Sequence, residues 1–106
     1  MNKVLYFIRH GTALHNVLFW KYGNIVYKRY RDTPLVQKGV EEAKFLGENW
    51  KDIDKIELII VSPLLRTLQT ADNIFYNKNT PIIALDSVME YSQGLDLCNR
   101  RKSITE

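Results

Sequence analysis

The chain has 106 residues, 15 lysines and arginines against 12 acids, and a formal net charge of +3, with 45% hydrophobic and 25% charged residues. That length accommodates one domain and no second core, and the composition excludes a disordered tail or a fibrous repeat. The longest apolar runs, Val4 to Ile8 and Leu58 to Val61, fall far short of the ~20 residues that a membrane helix requires, so no membrane partner is expected. The N-terminal residues lack the apolar core and cleavage site of a signal peptide. The single cysteine, Cys98, cannot pair internally and suits a reducing compartment, so a cytoplasmic location is expected.

The charge is unevenly spread. Lys3, Arg9, Lys21, Lys28, Arg29 and Arg31 precede any acid, whereas residues 32 to 106 hold nine basic and twelve acidic groups. The first third is thus +6 and the remainder −3, a field that draws an anionic ligand towards the N-terminal segment.

Three continuous apolar runs read as strands covered on both faces: Val4 to Ile8, Leu58 to Val61 and Ile82 to Leu85. Between the first two, the segment Gly11 to Asp32 lacks periodicity and reads as a long functional loop with a short helix. A helix follows Thr33-Pro34, with Val36, Val40, Ala43, Leu46 and Trp50 on one face. A second helix carries Leu64, Leu68, Ala71 and Phe75 on one face, with Ser62 as N-cap and Pro63 at the first helical position. Alternation of strand and helix implies right-handed crossovers and an α/β fold: three layers, α/β/α, around a parallel sheet of at least three strands. Beyond Leu85 the sequence reads as irregular.

In such folds ligands bind beyond the carboxyl ends of the strands. The first run ends in Arg9-His10-Gly11, the second in Ser62-Pro63 with Arg66 one turn later, and the third leads to Glu90. Phosphoryl transfer needs a nucleophile, cationic forks for the phosphoryl oxygens and an acid for the departing alkoxide. His10 supplies the first, provided one ring nitrogen is unprotonated and the other donates to a backbone carbonyl. Arg9 and Arg66 supply bidentate, permanently charged forks, and Glu90 supplies the acid. Gly11 is expected to leave room for the phosphate, and the helix start near Ser62 to offer backbone donors. No cofactor or metal motif is present: the Gly-rich phosphate loop, the dinucleotide fingerprint and the paired-histidine zinc helix are all missing. A cysteine phosphatase would need an arginine six residues after Cys98, where Ile104 stands.

Arg9-His10-Gly11 with His15-Asn16, then Asp32-Thr33-Pro34-Leu35 with Gly39, then the block Ser62 to Ala71, together resemble the histidine phosphatase, or phosphoglycerate-mutase-like, superfamily. Glu90 to Gly94, Cys98 and Arg101 resemble a phosphatase-like branch of it. The resemblance implies a phosphorylated nucleophile at His10, phosphate ligands at Arg9, Asn16 and Arg66, and a general acid at Glu90. It implies a substrate that is a phosphorylated small molecule or a phosphopeptide. Thr12 and Ala13 replace the acidic and serine residues usual in mutases, which favours a phosphatase over a mutase. Family members continue into a further strand with a second histidine, so residues 1 to 106 form a single domain without that downstream part. Weak or absent activity of the chain as given is the corresponding expectation.

Two other readings stand beside this one. Trp20 to Arg31 interleaves aromatics with cations, as a nucleic-acid-binding module does. The favoured reading packs those aromatics on the domain and puts the cations at the substrate entrance, so nucleic acid is not an expected partner. The second is structural: an incomplete sheet with an open edge invites self-association.

Overall fold

The computed structural model describes residues 3–89 of the chain. Its elements are α1 (Leu14–Tyr22), α2 (Ile25–Arg29), α3 (Gln37–Asn49), β1 (Ile59–Val61), α4 (Leu65–Ile74) and β2 (Ile82–Ala84), with 3-10 turns at Ile53–Lys55 and Asp86–Val88. The strands pair in parallel, Ile59 opposite Ile82 and Val61 opposite Ala84. Since α4 connects them, β1-α4-β2 is a crossover unit, and the α/β class follows. No helix among the described residues is long and apolar enough to cross a membrane.

Helix α3 arises from the expected period: Gly39 and Ala43 are buried, and Val40, Leu46 and Trp50 are half-buried on the same face. Helix α4 begins later than Ser62-Pro63 suggests, with Leu64 at the N-cap. Ser62 Oγ accepts a hydrogen bond from the Leu64 N–H at 3.3 Å. The first helical N–H, that of Leu65, is satisfied from elsewhere in the chain by Asp32 Oδ1 at 2.7 Å. A carboxylate there also meets the positive end of the helix dipole. Asp32 reaches this place with φ of 47°, a left-handed conformation that aspartate tolerates better than most residues.

The core lies where α3, α4 and the inner face of β1 meet: Ala43, Ile53, Ile59, Ile74 and Phe75, flanked by Leu46, Trp50 and Ile56. Each fully buried large apolar side chain here contributes about 1.5–3 kcal/mol. Leu68, expected on the same face as Ala71, is 37% exposed because it lies beside β2, whose three residues are all exposed.

The first apolar run departs from expectation. Val4 to Ile8 forms no ladder with either strand, and all five side chains are exposed, Phe7 to 92%. Tyr6 fastens the run, its ring edge-on to Trp50 at 5.1 Å and its hydroxyl donating to Asp52 Oδ2 at 3.4 Å. The sheet of residues 3–89 therefore has two strands rather than three. The outer face of β1 is also bare, with Ile60 54% exposed. An apolar run shows that a segment suits burial; a neighbour must still supply the ladder and the cover.

The segment Gly11 to Asp32 is more ordered than expected, folding into α1 and α2. The loop before α1 is tied to the start of α3. Ala13 and Leu35 form an antiparallel bridge, the Leu14 N–H donates to Pro34 O at 2.8 Å, and the Val36 N–H donates to Thr12 O at 3.0 Å. Gly39 is what allows this approach, since a Cβ on it would stand 2.2 Å from Thr12 O and 2.8 Å from Thr12 N. Reciprocally, a Cβ on Gly11 would meet Gly39 O at 2.6 Å. The room left at Gly11 is thus filled by α3 backbone, not kept for a ligand as the sequence suggested. Gly39→Ala sets a gain of about 1 kcal/mol in helix propensity against an overpacking cost of about 1–3 kcal/mol that backbone atoms cannot relieve by rotation. The expected outcome is a net loss of stability, read as a lower midpoint in urea unfolding; a raised midpoint would contradict the contact.

Candidate active site

Arg9, His10 and Gly11 emerge from the exposed N-terminal run into a cleft of about 700 Å³, where they meet Thr12 and Asn16, Lys38 and Glu42 of α3, and Thr70 of α4. His10 is half-buried, and its Nδ1 lies 2.6 Å from its neighbour's carbonyl oxygen, Gly11 O. A carbonyl only accepts, so Nδ1 carries the proton and, in the neutral ring, Nε2 holds the lone pair. Gly11 is held in turn: its N–H donates to Thr70 Oγ1 at 3.0 Å, and the Thr70 hydroxyl donates to Arg66 O at 2.7 Å.

Asn16 sits at the third position of α1, where its Oδ1 accepts from the Ala13 N–H at 2.9 Å, the back-reaching half of a capping box. Its amide nitrogen donates to His15 Nε2 at 3.4 Å. His15 is buried and turns Nδ1 to Thr33 Oγ1, so a neutral ring donating from Nδ1 satisfies both contacts. Its place is between the cleft wall and the segment preceding α3, and the His10 and His15 ring centroids are 6.1 Å apart.

Of the five residues singled out in sequence, the fold gathers Arg9, His10 and Asn16 on one cleft. Arg66 is fully buried in the first turn of α4, so its guanidinium presents no surface to that cleft. Glu90 lies outside the described residues, as do Cys98 and Arg101. The backbone donors expected at the α4 start are engaged at Leu64 and Leu65, by Ser62 and Asp32. The basic segment also behaves differently from its expectation. Its aromatics Phe19, Trp20 and Tyr27 line the cleft, whereas Lys21, Arg29 and Arg31 do not.

A profile of the histidine phosphatase superfamily (branch 1) matches residues 5–103. The chain belongs to that superfamily. Phosphoglycerate mutase-like protein 1 of Arabidopsis thaliana is 39% identical over 77 residues, covering 69% of this chain and 27% of that protein. A second Arabidopsis thaliana phosphoglycerate mutase-like protein is 27% identical, covering 98% of this chain and 50% of its own length. The 2,3-bisphosphoglycerate-dependent phosphoglycerate mutase of Chlamydia abortus is 39% identical over 67 residues, 63% of this chain and 26% of the mutase. The chain thus spans between about a quarter and a half of the length of these relatives. Among solved structures, phosphoserine phosphatase from Entamoeba histolytica in complex with 3-phosphoglyceric acid matches with a TM-score of 0.48 and 26% identity, over 70% of this chain and 34% of that one.

Two residues of this cleft carried no role in the sequence reading. Thr70 lies inside the Ser62 to Ala71 block, one turn after Arg66 on the same helix face, a spacing that could have marked it. Glu42 had no such signal. Its Oε1 accepts from both the backbone N–H and the hydroxyl of Thr12, each at 2.8 Å. The Thr12 backbone bond, then the hydroxyl bond, hold the Glu42 carboxyl below its ordinary pKa, with Lys38 and His10 adding in the same sense and burial opposing. A folded-state pKa below the unfolded value gives a stabilisation present above the unfolded value and lost as pH falls through the folded one. The Thr12 amide resonance is therefore expected to titrate with a midpoint below that of an ordinary glutamate, and Glu42→Gln to abolish the titration. A midpoint at or above the ordinary value would refute the assignment.

Proposed function

We propose that the chain is the nucleophile-bearing part of a phosphomonoester phosphatase that works through a phosphohistidine at His10. The superfamily comprises phosphatases and mutases, and hydrolysis is the finer reading, with mutase action as the alternative. The observation that carries it is the Nδ1 contact to Gly11 O, which commits the neutral ring to the tautomer that attacks through Nε2. Nε2 forms a bond to phosphorus while the bond from phosphorus to the ester oxygen breaks. The departing alkoxide takes a proton from an acid, the role that the family resemblance gives to Glu90. Water then attacks phosphorus, giving a proton to the carboxylate left by the acid, and the bond from phosphorus to Nε2 breaks, releasing inorganic phosphate and restoring both imidazole and acid. Arg9 and Asn16 supply the anion seat from the cleft wall, while Thr70, whose hydroxyl donates to the Arg66 backbone carbonyl, holds Gly11 beside it. Substrates of this class include phosphorylated small molecules and phosphopeptides. Nucleic acid is a poorer fit, because Phe19, Trp20 and Tyr27 line the His10 cleft while Lys21, Arg29 and Arg31 do not.

Incubation with an aryl phosphate followed by alkaline quench is expected to leave acid-labile phosphate on His10. His10→Ala should lose the label and reduce any turnover on the order of 10⁴-fold; a labelled or equally active His10→Ala would refute the assignment. The bare face of the two-stranded sheet and the exposed Val4 to Ile8 run support a second proposal, that the isolated 106-residue chain pairs with a second copy of itself. Sedimentation is expected to show an average mass rising with concentration, and a monomer throughout would overturn it.

A further inference from the structure

The wall of the His10 cleft changes character along α1. Beyond Asn16, Phe19 and Trp20 line it, and Tyr27 of α2 completes it. Phe19 and Tyr27 are stacked, with centroids 5.2 Å apart and planes at 15°. Trp20 stands edge-on to Phe19 at 6.2 Å, and Tyr27 stands edge-on to His15 at 6.1 Å. A row of rings therefore runs from the neighbour of the nucleophile outwards. Its outermost member, Trp20, is 87% exposed, so the core does not require it. Aromatic side chains lose little conformational freedom on binding and offer large apolar faces. The α3 side of the cleft presents Lys38 and Glu42, opposite charges close enough to influence each other. A substrate without a ring would leave these aromatic faces in water. At about 700 Å³, the cleft is in the range that receives ligands much larger than a phosphate ion.

We propose that Phe19, Trp20 and Tyr27 receive an aromatic ring carried by the leaving group, so that the preferred substrates are phosphomonoesters of aromatic or ring-bearing alcohols. This rests on the reading of His10 and Arg9 as the phosphoryl seat and adds the side on which the rest of the substrate lies.

Unreactive phosphonates separate the two statements without depending on turnover. Benzylphosphonate and ethylphosphonate share an anionic head on a methylene and differ in the ring. Calorimetric titration into the 106-residue chain is expected to show benzylphosphonate binding about tenfold more tightly, the effect of a ring gaining one or two aromatic contacts. Trp20→Ala is expected to shrink that preference several-fold, and Trp20→Phe to keep most of it; the exposure of Trp20 makes both changes compatible with folding. Equal affinities in the unaltered chain, or an unchanged preference in Trp20→Ala, would overturn the ring site while leaving the phosphoryl seat standing. Binding of neither compound would overturn both.

Discussion

The site depends on one backbone-to-backbone approach. Gly11 and Thr12 lie against Gly39 so closely that neither glycine has room for a Cβ, and Glu42, one turn further along α3, grips Thr12 by two hydrogen bonds. From the opposite side Thr70 of α4 holds the Gly11 N–H. The residue after His10 is thereby clamped between two helices that also frame the core. Its carbonyl, fixed in direction, sets the imidazole tautomer. Local geometry at His10 is thus inherited from the packing of α3 on α4, where Ala43 and Ile74 both join the core and line the cleft.

Parts of this were legible in the sequence for reasons that can be named. The buried stripe of α3 follows the 3.6-residue period, and β1-α4-β2 follows from two apolar runs separated by one amphipathic helix. Arg9, His10 and Asn16 converge because they flank a single short loop. What stayed hidden concerns partners distant in the chain. Gly11 and Thr70 are 59 residues apart, Leu65 and Asp32 33 apart, Thr12 and Glu42 30 apart. No local period encodes such pairs, which exist once two surfaces meet. The Val4 to Ile8 run illustrates the converse: its composition states a suitability for burial that residues 3–89 do not fulfil.

Electrostatics around the cleft is more balanced than the +6 charge of the N-terminal third suggests. Arg9 and Lys38 face it, yet Glu42 stands beside them with a carboxyl kept ionised by Thr12. Asp32 is likewise spent on the α4 terminus. The acid that orders the loop and the cations Arg9 and Lys38 share the same small volume, so their fields partly cancel. Such compromises are typical where a reactive group must be both placed and accessible.

Tyr6 joins the N-terminal run to Trp50 and Asp52 at its middle, while Gly11 anchors its far end. Phe7 and Ile8 between these ties are exposed, and the run reaches the buried cluster of Ile53, Ile59, Ile74 and Phe75 through Trp50, which packs on Phe75. Peeling this arm away would cost the Tyr6 contacts and the Gly11 anchor and would carry the His10 imidazole out of the cleft. Substitutions before Thr12 would therefore disturb the placement of His10 more directly than they disturb the cluster between α3, α4 and β1.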